Sequence, residues 1–109
     1  MNNRTIGEKG EDLAAALLIE KGYDVLARNY ITRVGEIDIV AKKDSTIVFC
    51  EVKTRLTDLM GGGREAVDDR KQERIKRCAE IFLMNTWIPY DYCEFHVIEI
   101  SAEHLEACF

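Results

Sequence analysis

Two short segments carry acidic and basic residues at a spacing that suits catalysis. One contains Glu36 and Asp38, and the other contains Glu51 and Lys53. Because side chains alternate between the faces of a β-strand, each pair is expected to share a face of its own strand. A two- or four-residue connection near residues 43–46 would set Asp38 opposite Glu51. Glu36 would then face Lys53, with all four side chains pointing the same way, whereas a three- or five-residue connection would shift this register.

The facing pair of Asp38 and Glu51 indicates a metal site. Like charges opposite each other across strands repel by a few tenths to about 1 kcal/mol, and partial burial increases that repulsion. A divalent cation would remove it, and Mg²⁺ (or Mn²⁺) is commonly held by one or two carboxylates with water and a substrate phosphate. Lys53 would lie beside the bound water or the phosphate. The alternative is an ordinary strand pair, since exposed strand faces often carry Glu and Lys.

Helical spacing places two further charged residues next to apolar faces. Glu11 shares a helix face with Ala14, Ala15 and Leu18, so it borders the predicted core. A carboxylate in a first turn can instead favour the helix dipole, and both interpretations stay open. Lys71 begins the inward stripe of the second helix, beside a stripe of arginines that contacts either solvent or phosphate. The residues expected to contact a nucleic-acid backbone are Lys71, Arg70, Arg74 and Arg55.

The elements that must position these residues occur in the order α-β-β-β-α-β. Apolar periodicity predicts helices over residues 5–21 and 64–85, and strands over 23–31, 35–42, 46–54 and 93–101. A loop is predicted over 56–63, and a short helix in the tail from residue 102. The apolar stripe of the first helix is Ile6, Leu13, Ala14, Leu17 and Leu18. The stripe of the second is Val67, Ile75, Cys78, Ala79 and Phe82. These patterns predict a single α/β (α+β) domain over residues 1–109.

The charge distribution bears on whether a nucleic acid is a partner. The net charge is −5, which by itself disfavours binding to a polyanion. Residues 1–80 hold all 15 basic side chains and 15 of the 20 acidic ones, so their charges cancel. Residues 81–109 hold the remaining five acidic side chains and carry the whole net charge. A basic face on the first 80 residues is therefore compatible with DNA binding.

Cysteine usage and hydropathy indicate a cytoplasmic protein. The four cysteines are widely spaced without a Cys-x-x-Cys pair, so reduced thiols are expected rather than disulfides or a zinc site. No apolar run approaches the roughly 20 residues of a membrane span. The first residues also lack the apolar stretch of a signal peptide. Neither a membrane nor a secreted location is expected.

Together these segments resemble the YraN family of small bacterial proteins. That family belongs to the restriction-endonuclease-like superfamily with PD-(D/E)xK motifs and is similar to archaeal Holliday junction resolvases. The resemblance spans about residues 4–100 of this sequence. It depends on Gly7-Glu8-Lys9-Gly10-Glu11, Gly22-Tyr23 with Asn29, Gly35-Glu36-Ile37-Asp38, Phe49-Cys50-Glu51-Val52-Lys53-Thr54-Arg55, and Glu65-Ala66-Val67 with Lys71.

The resemblance implies a four-stranded mixed sheet flanked by helices and the hydrolysis of DNA phosphodiesters. It implies that Asp38 and Glu51 are metal ligands and that Lys53 positions or deprotonates the attacking water. Glu11 would be an auxiliary acidic residue, and a homodimer is expected because resolvase relatives act as dimers. One departure lies in the last strand, where the family usually has an Arg-Phe-Asp type of sequence and this chain has Glu94-Phe95-His96. The change removes positive potential that would favour DNA.

Three functions follow from these observations. The leading hypothesis is an Mg²⁺-dependent endonuclease that acts on DNA, including branched or damaged structures. The second is a nucleic-acid-binding module of the same fold that does not cut. The third is a protein–protein adaptor that uses the acidic C-terminal segment and the apolar loop residues Leu56, Leu59 and Met60.

Overall fold

The computed structural model describes residues 5–55 and 68–101. Its elements are α1 (Ile6–Glu20), β1 (Asp24–Thr32), β2 (Gly35–Lys43), β3 (Thr46–Arg55), α2 (Asp69–Asn85) and β4 (Tyr92–Ser101). The predicted order and the α+β class are confirmed. The loop predicted over 56–63, the predicted start of the second helix at 64–67 and the tail from residue 102 lie outside the described residues.

Both helices begin at capping residues that the sequence supplies. The Thr5 hydroxyl accepts a 3.1 Å hydrogen bond from the Glu8 backbone N–H, and the Glu8 carboxylate accepts one of 3.0 Å from the Thr5 N–H. This reciprocal pair satisfies two backbone donors at the start of α1. The chain leaves α1 through Gly22, whose φ of 95° favours glycine. At α2, the Asp68 carboxylate accepts a 2.8 Å hydrogen bond from the Lys71 N–H.

The four strands form one sheet in the order β1-β2-β3-β4. Strands β1, β2 and β3 pair antiparallel, whereas β4 pairs parallel with β3. This arrangement is the mixed sheet that the resemblance implies. In the β2–β3 hairpin, Lys43 pairs with Thr46 and Ile39 with Cys50. That register is the predicted one, set by a two-residue turn at Asp44 and Ser45.

The two helices cover opposite faces of the sheet, and each face has its own core. On the α1 side, the buried residues are Ala14, Ala15, Leu18, Ile39, Ala41, Val48 and Cys50. On the α2 side, they are Ile37, Val40, Ile47, Phe49, Cys78, Ala79 and Phe82. The central strand β3 is buried on both faces, which explains its continuous apolar run. Within residues 5–55 and 68–101, no helix is long and apolar enough to cross a membrane.

The predicted apolar stripe of α1 is partly wrong. Ile6, Leu13 and Leu17 remain 44%, 49% and 40% exposed. The buried face is instead made of small residues with one leucine: Gly10, Ala14, Ala15 and Leu18. Small residues face the sheet because α1 lies close against it: a Cβ atom at position 10 would overlap the Thr54 hydroxyl. The stripe predicted for α2 is confirmed at Ile75, Cys78, Ala79 and Phe82, while Val67 lies outside the described residues.

Candidate active site

Strands β2 and β3 separate at Asp38, and its side chain occupies the gap. The backbone pairing of the two strands ends at Ile39 and Cys50, one pair before Asp38 and Glu51 would face each other. The Val52 backbone N–H there donates a 2.7 Å hydrogen bond to Asp38 Oδ2. A carboxylate therefore bonds a strand N–H group beyond the end of the backbone ladder. This hydrogen bond fixes the carboxylate of Asp38 between the two strands.

The side-chain alternation of β2 is interrupted at Asp38. Ile37 and Ile39 are two residues apart and would share a face of a regular strand, yet they lie in the cores on opposite faces. On β1, Arg28 pairs with Ile39 and Tyr30 with Ile37, so Asn29 lies opposite Asp38. Asn29 has a left-handed φ of 50°. The predicted regular alternation through Glu36 and Asp38 is therefore wrong.

Asp38 lies in an environment that disfavours its charge. Burial is the main reason that the pKa of Asp38 is raised from 3.8 to about 6, and the neighbouring carboxylates of Glu51, Glu11 and Glu36 raise it further. The hydrogen bond from Val52 opposes the shift without cancelling it. We call this group of four acidic residues, at the point where β2 and β3 separate, the acidic fork.

Helix α1 brings Glu11 to the acidic fork. Burial is the largest cause of the raised pKa of Glu11, and the nearby charges of Glu36 and Glu51 contribute to it. The Arg28 guanidinium opposes this shift, and its Nη2 atom also forms a 2.7 Å ion pair with Asp12 Oδ1. Glu11 is half-buried at the border of the buried face of α1, one helical turn before the buried Ala14 and Ala15, as its spacing predicted.

Helix α2 brings Lys71 to the acidic fork from the other face of the sheet. Its Nζ atom lies 2.7 Å from Glu51 Oε1, and the Glu51 side chain is only 14% exposed. The hydrogen bond to Glu51 is the largest cause of the raised pKa of Lys71, and Lys53 is a further close neighbour. The sequence predicted that Lys71 begins the inward stripe of α2, but it did not predict the ion pair with Glu51. The position of Lys71 on that stripe is the one sequence feature that could have suggested the pair.

The other predicted basic residues have different surroundings. Arg74 lines a cleft of about 260 Å³ together with Glu36, Glu51 and Lys71. Arg70 is exposed at the start of α2. Arg55 Nε lies 3.1 Å from Glu99 Oε1, so this arginine forms an ion pair with β4. Of the four, Lys71 and Arg74 are the two that line the cleft beside the acidic fork.

The donor atoms of the acidic fork fit a hard cation with few protein ligands. In the described part of the chain, no group of three or more His, Cys, Asp or Glu side chains is placed to hold a metal ion. Asp38 and Glu51 offer carboxylate oxygens, and Mg²⁺ is often held by one or two carboxylates with water and substrate phosphate. The pKa of Asp38 is raised first by burial and then by the neighbouring carboxylates, and a cation would offset both effects on its charge. The residues therefore fit Mg²⁺ or Mn²⁺ better than a structural zinc ion.

Comparison with known proteins gives consistent matches along the chain. The family described as "Uncharacterised protein family UPF0102" matches residues 10–100. A UPF0102 protein of Syntrophomonas wolfei is 45% identical over 101 residues, which cover 93% of this chain and 88% of the relative. A UPF0102 protein of Moorella thermoacetica is 42% identical over 106 residues, 97% of this chain and 88% of the relative. One from Dictyoglomus turgidum is 42% identical over 100 residues, 92% of this chain and 85% of the relative.

Proposed function

The chain belongs to the uncharacterised protein family UPF0102, and we propose that it is an Mg²⁺-dependent endonuclease that hydrolyses DNA phosphodiesters. The observation that carries the proposal is the environment of Asp38. A half-buried carboxylate with its pKa raised to about 6 lies near three other carboxylates at a break in the sheet. Such a cluster lowers the stability of the fold, and strongly perturbed carboxylates concentrate at functional sites. The arrangement supports membership of the PD-(D/E)xK superfamily, with Asp38 and Glu51-Val52-Lys53 as the motif.

Each residue of the site has a role in this reaction. Asp38 and Glu51 would hold the cation through their carboxylate oxygens, and the Val52 N–H keeps Asp38 oriented. A bound Mg²⁺ would supply positive charge to the phosphate and lower the pKa of water. Lys53 places its ammonium group against the attacking water or the phosphate, and Glu11 is an auxiliary acidic residue that orients water.

Basic residues on α2 supply the contact with DNA. Lys71 and Arg74 line the cleft that also contains Glu51. A phosphate bound in this cleft would contact two positive charges next to the proposed metal ligand Glu51. Arg70 extends this positive region along the helix. A homodimer stays a prediction, and DNA is the partner that these charges favour.

Cleavage assays with matched variants test the proposal. Labelled duplex, flap and four-way-junction DNA are incubated with the protein in Mg²⁺ or Mn²⁺. We expect Asp38→Asn, Glu51→Gln and Lys53→Met each to lower the cleavage rate about a hundred-fold or more. Glu20→Gln removes an exposed carboxylate at the far end of α1 and serves as the control, with an unchanged rate. Metal-dependent cleavage that persists in Asp38→Asn would contradict the assignment.

The ion pair between Lys71 and Glu51 favours a second candidate, a DNA-binding module that does not cut. In this arrangement a lysine ammonium, rather than a metal ion, neutralises Glu51. This candidate predicts salt-dependent DNA binding that persists in chelator, without cleavage products in any metal. An adaptor role would depend on Leu56, Leu59 and Met60, which lie outside the described residues.

A further inference from the structure

A cavity of about 280 Å³ adjoins the acidic fork between α2 and β4. Its apolar lining comes from Phe49, Ile75, Phe95 and Val97, and Glu51 lies at its edge. We call it the aromatic cavity. The polar side chains that line it are Gln72 and Lys76 of α2. An apolar site with a few polar groups at its rim is the usual form of a site for a small planar ligand.

The aromatic cavity exists because α2 does not cover the β4 edge of the sheet. The core beneath α2 takes its residues from β1, β2, β3 and α2 itself. On the same face, Phe95 and Val97 of β4 remain 45% and 55% exposed. Exposed apolar side chains on an edge strand are unfavourable in a free protein. They lie beside Glu51, so an uncovered apolar surface adjoins the acidic fork.

The aromatic rings give the cavity a flat surface. Phe95 stacks on Phe49 with ring centroids 5.4 Å apart and an interplanar angle of 27°, so Phe49 supports the exposed ring from below. A supported aromatic ring next to side chains that form hydrogen bonds suits a nucleobase, because every base has a π face and polar edges.

The charges around the cavity complement a nucleotide. Glu51 and Ile75 line both the aromatic cavity and the cleft that contains Lys71 and Arg74. A phosphate in the cleft would therefore lie next to a base in the cavity. Lys76 adds a cation on the cavity side. The two adjoining sites match the anionic and aromatic parts of one nucleotide.

We propose that the aromatic cavity binds an unpaired base of the DNA strand, next to the phosphodiester at the acidic fork. This inference rests on the proposed nuclease function and specifies its substrate class as DNA with unpaired nucleotides. Bases in a continuous duplex are stacked and paired, and taking one out costs a few kcal/mol. Flaps, gaps and junctions present such bases without that cost.

Binding of DNA that contains 2-aminopurine tests the inference without requiring cleavage. The fluorescence of this base falls when it stacks on an aromatic ring, and chelator prevents hydrolysis. We expect the wild-type protein to quench a single-stranded probe and to bind it more tightly than the matched duplex. Phe95→Ala should abolish the quenching and weaken single-strand binding about ten-fold. Phe95→Tyr should retain both, which separates stacking from a folding defect.

Trp87→Ala provides the control, because Trp87 is an aromatic residue that is 97% exposed and does not line the cavity. Equal affinity for single strand and duplex, or equal binding by Phe95→Ala and Trp87→Ala, would overturn the inference.

Cleavage in Mn²⁺ is measured in parallel. Cleavage without a dependence on Phe95 would refute the base site and leave the nuclease proposal standing. Stacking that depends on Phe95 without cleavage in any metal would support the base site and contradict the nuclease.

Discussion

Asp38 combines a structural hydrogen bond with an unfavourable charge. Its carboxylate accepts the 2.7 Å bond from Val52, which an amide oxygen could also accept. Its negative charge, by contrast, gains little from the surroundings, because burial and three carboxylates disfavour it. The charge therefore does not stabilise the fold, and under the proposed function it would serve to bind a cation, a usual conflict between stability and function at active sites.

The first prediction concerns the stability of Asp38→Asn. Because the folded-state pKa of Asp38 is raised to about 6, its contribution to stability is full below pH 4 and is lost as the pH rises through 6. The shift corresponds to at most about 3 kcal/mol, and solvent screening of this half-exposed carboxyl group reduces it. We expect Asp38→Asn to raise the free energy of unfolding at pH 7.5 by about 1–2 kcal/mol in chelator, measured by urea denaturation.

Two controls accompany that measurement. The difference between wild type and variant should disappear near pH 4, and added Mg²⁺ should stabilise the wild type alone. Glu36→Gln removes an exposed carboxylate of the same fork and should change stability by less than about 0.5 kcal/mol. A variant that is less stable than wild type at pH 7.5 would show that the charge of Asp38 supports the fold.

Lys71 provides the second prediction, on metal affinity. Its ammonium lies 2.7 Å from Glu51 Oε1 and its charge also acts on Asp38, so it repels any cation that approaches these ligands. We expect Lys71→Met to bind Mn²⁺ about three- to ten-fold more tightly than wild type in calorimetric titration without DNA. Arg70→Met removes the same charge from an exposed neighbouring position and should change the affinity less. Unchanged affinity in Lys71→Met would mean that the ion pair does not compete with metal.

For the helices and strands, the sequence predicted the features that turn length and apolar periodicity determine. The two-residue turn and the apolar pattern were sufficient for the register of β2 and β3, which placed Asp38 near Glu51. Opposite Asp38 on β1, Asn29 has a left-handed φ of 50°, and the interruption of alternation at Asp38 was not predictable from the apolar pattern of β2. Nor was the exposure of Leu13 on α1. Periodicity identifies an apolar stripe, but the distance between helix and sheet decides which residues become buried.

The close contact between α1 and β3 gives the third prediction. Gly10 permits this contact, since a Cβ there would overlap the Thr54 side chain, whereas a Cβ at Gly7 would meet its nearest neighbour at an ordinary 3.8 Å. Gly10→Ala should lower the free energy of unfolding by about 1–3 kcal/mol through overpacking, partly offset by its better helix propensity. Gly7→Ala gains propensity without the overlap and should be neutral or slightly stabilising.

The same pair of variants also tests how Glu11 is positioned. Displacement of α1 in Gly10→Ala would move Glu11 away from the acidic fork, so Mn²⁺ affinity should fall in that variant and not in Gly7→Ala. Thermal denaturation and metal titration are measured on both proteins. Equal stability of the two variants would show that α1 can shift without loss and that its small-residue face is not required.

At the scale of the whole molecule, distant segments meet at the acidic fork. Glu11, Asp38 and Glu51 come from three elements. The approach of Asp38 to Glu51 was predicted from the hairpin register, whereas the inclusion of Glu11 was implied by the family resemblance. The contact of Lys71 with Glu51 and the aromatic cavity were not predicted, since both depend on where α2 lies across the sheet. Sequence patterns give the inward face of a helix, whereas its lateral position results from packing of the complete core.

The last prediction concerns how salt affects DNA binding by a chain whose net charge is −5. If α2 contacts the DNA backbone through about three cations, the logarithm of the binding constant should fall with the logarithm of salt concentration at a slope of about −2 for single strands. Arg74→Ala should reduce this slope by about 0.7, measured by fluorescence anisotropy in chelator between 50 and 200 mM salt. Lys21→Ala is the control, because Lys43 donates a 2.8 Å hydrogen bond to the Lys21 carbonyl at the hairpin end of the sheet, away from the fork. A slope near zero, or equal effects of the two variants, would contradict backbone binding by α2.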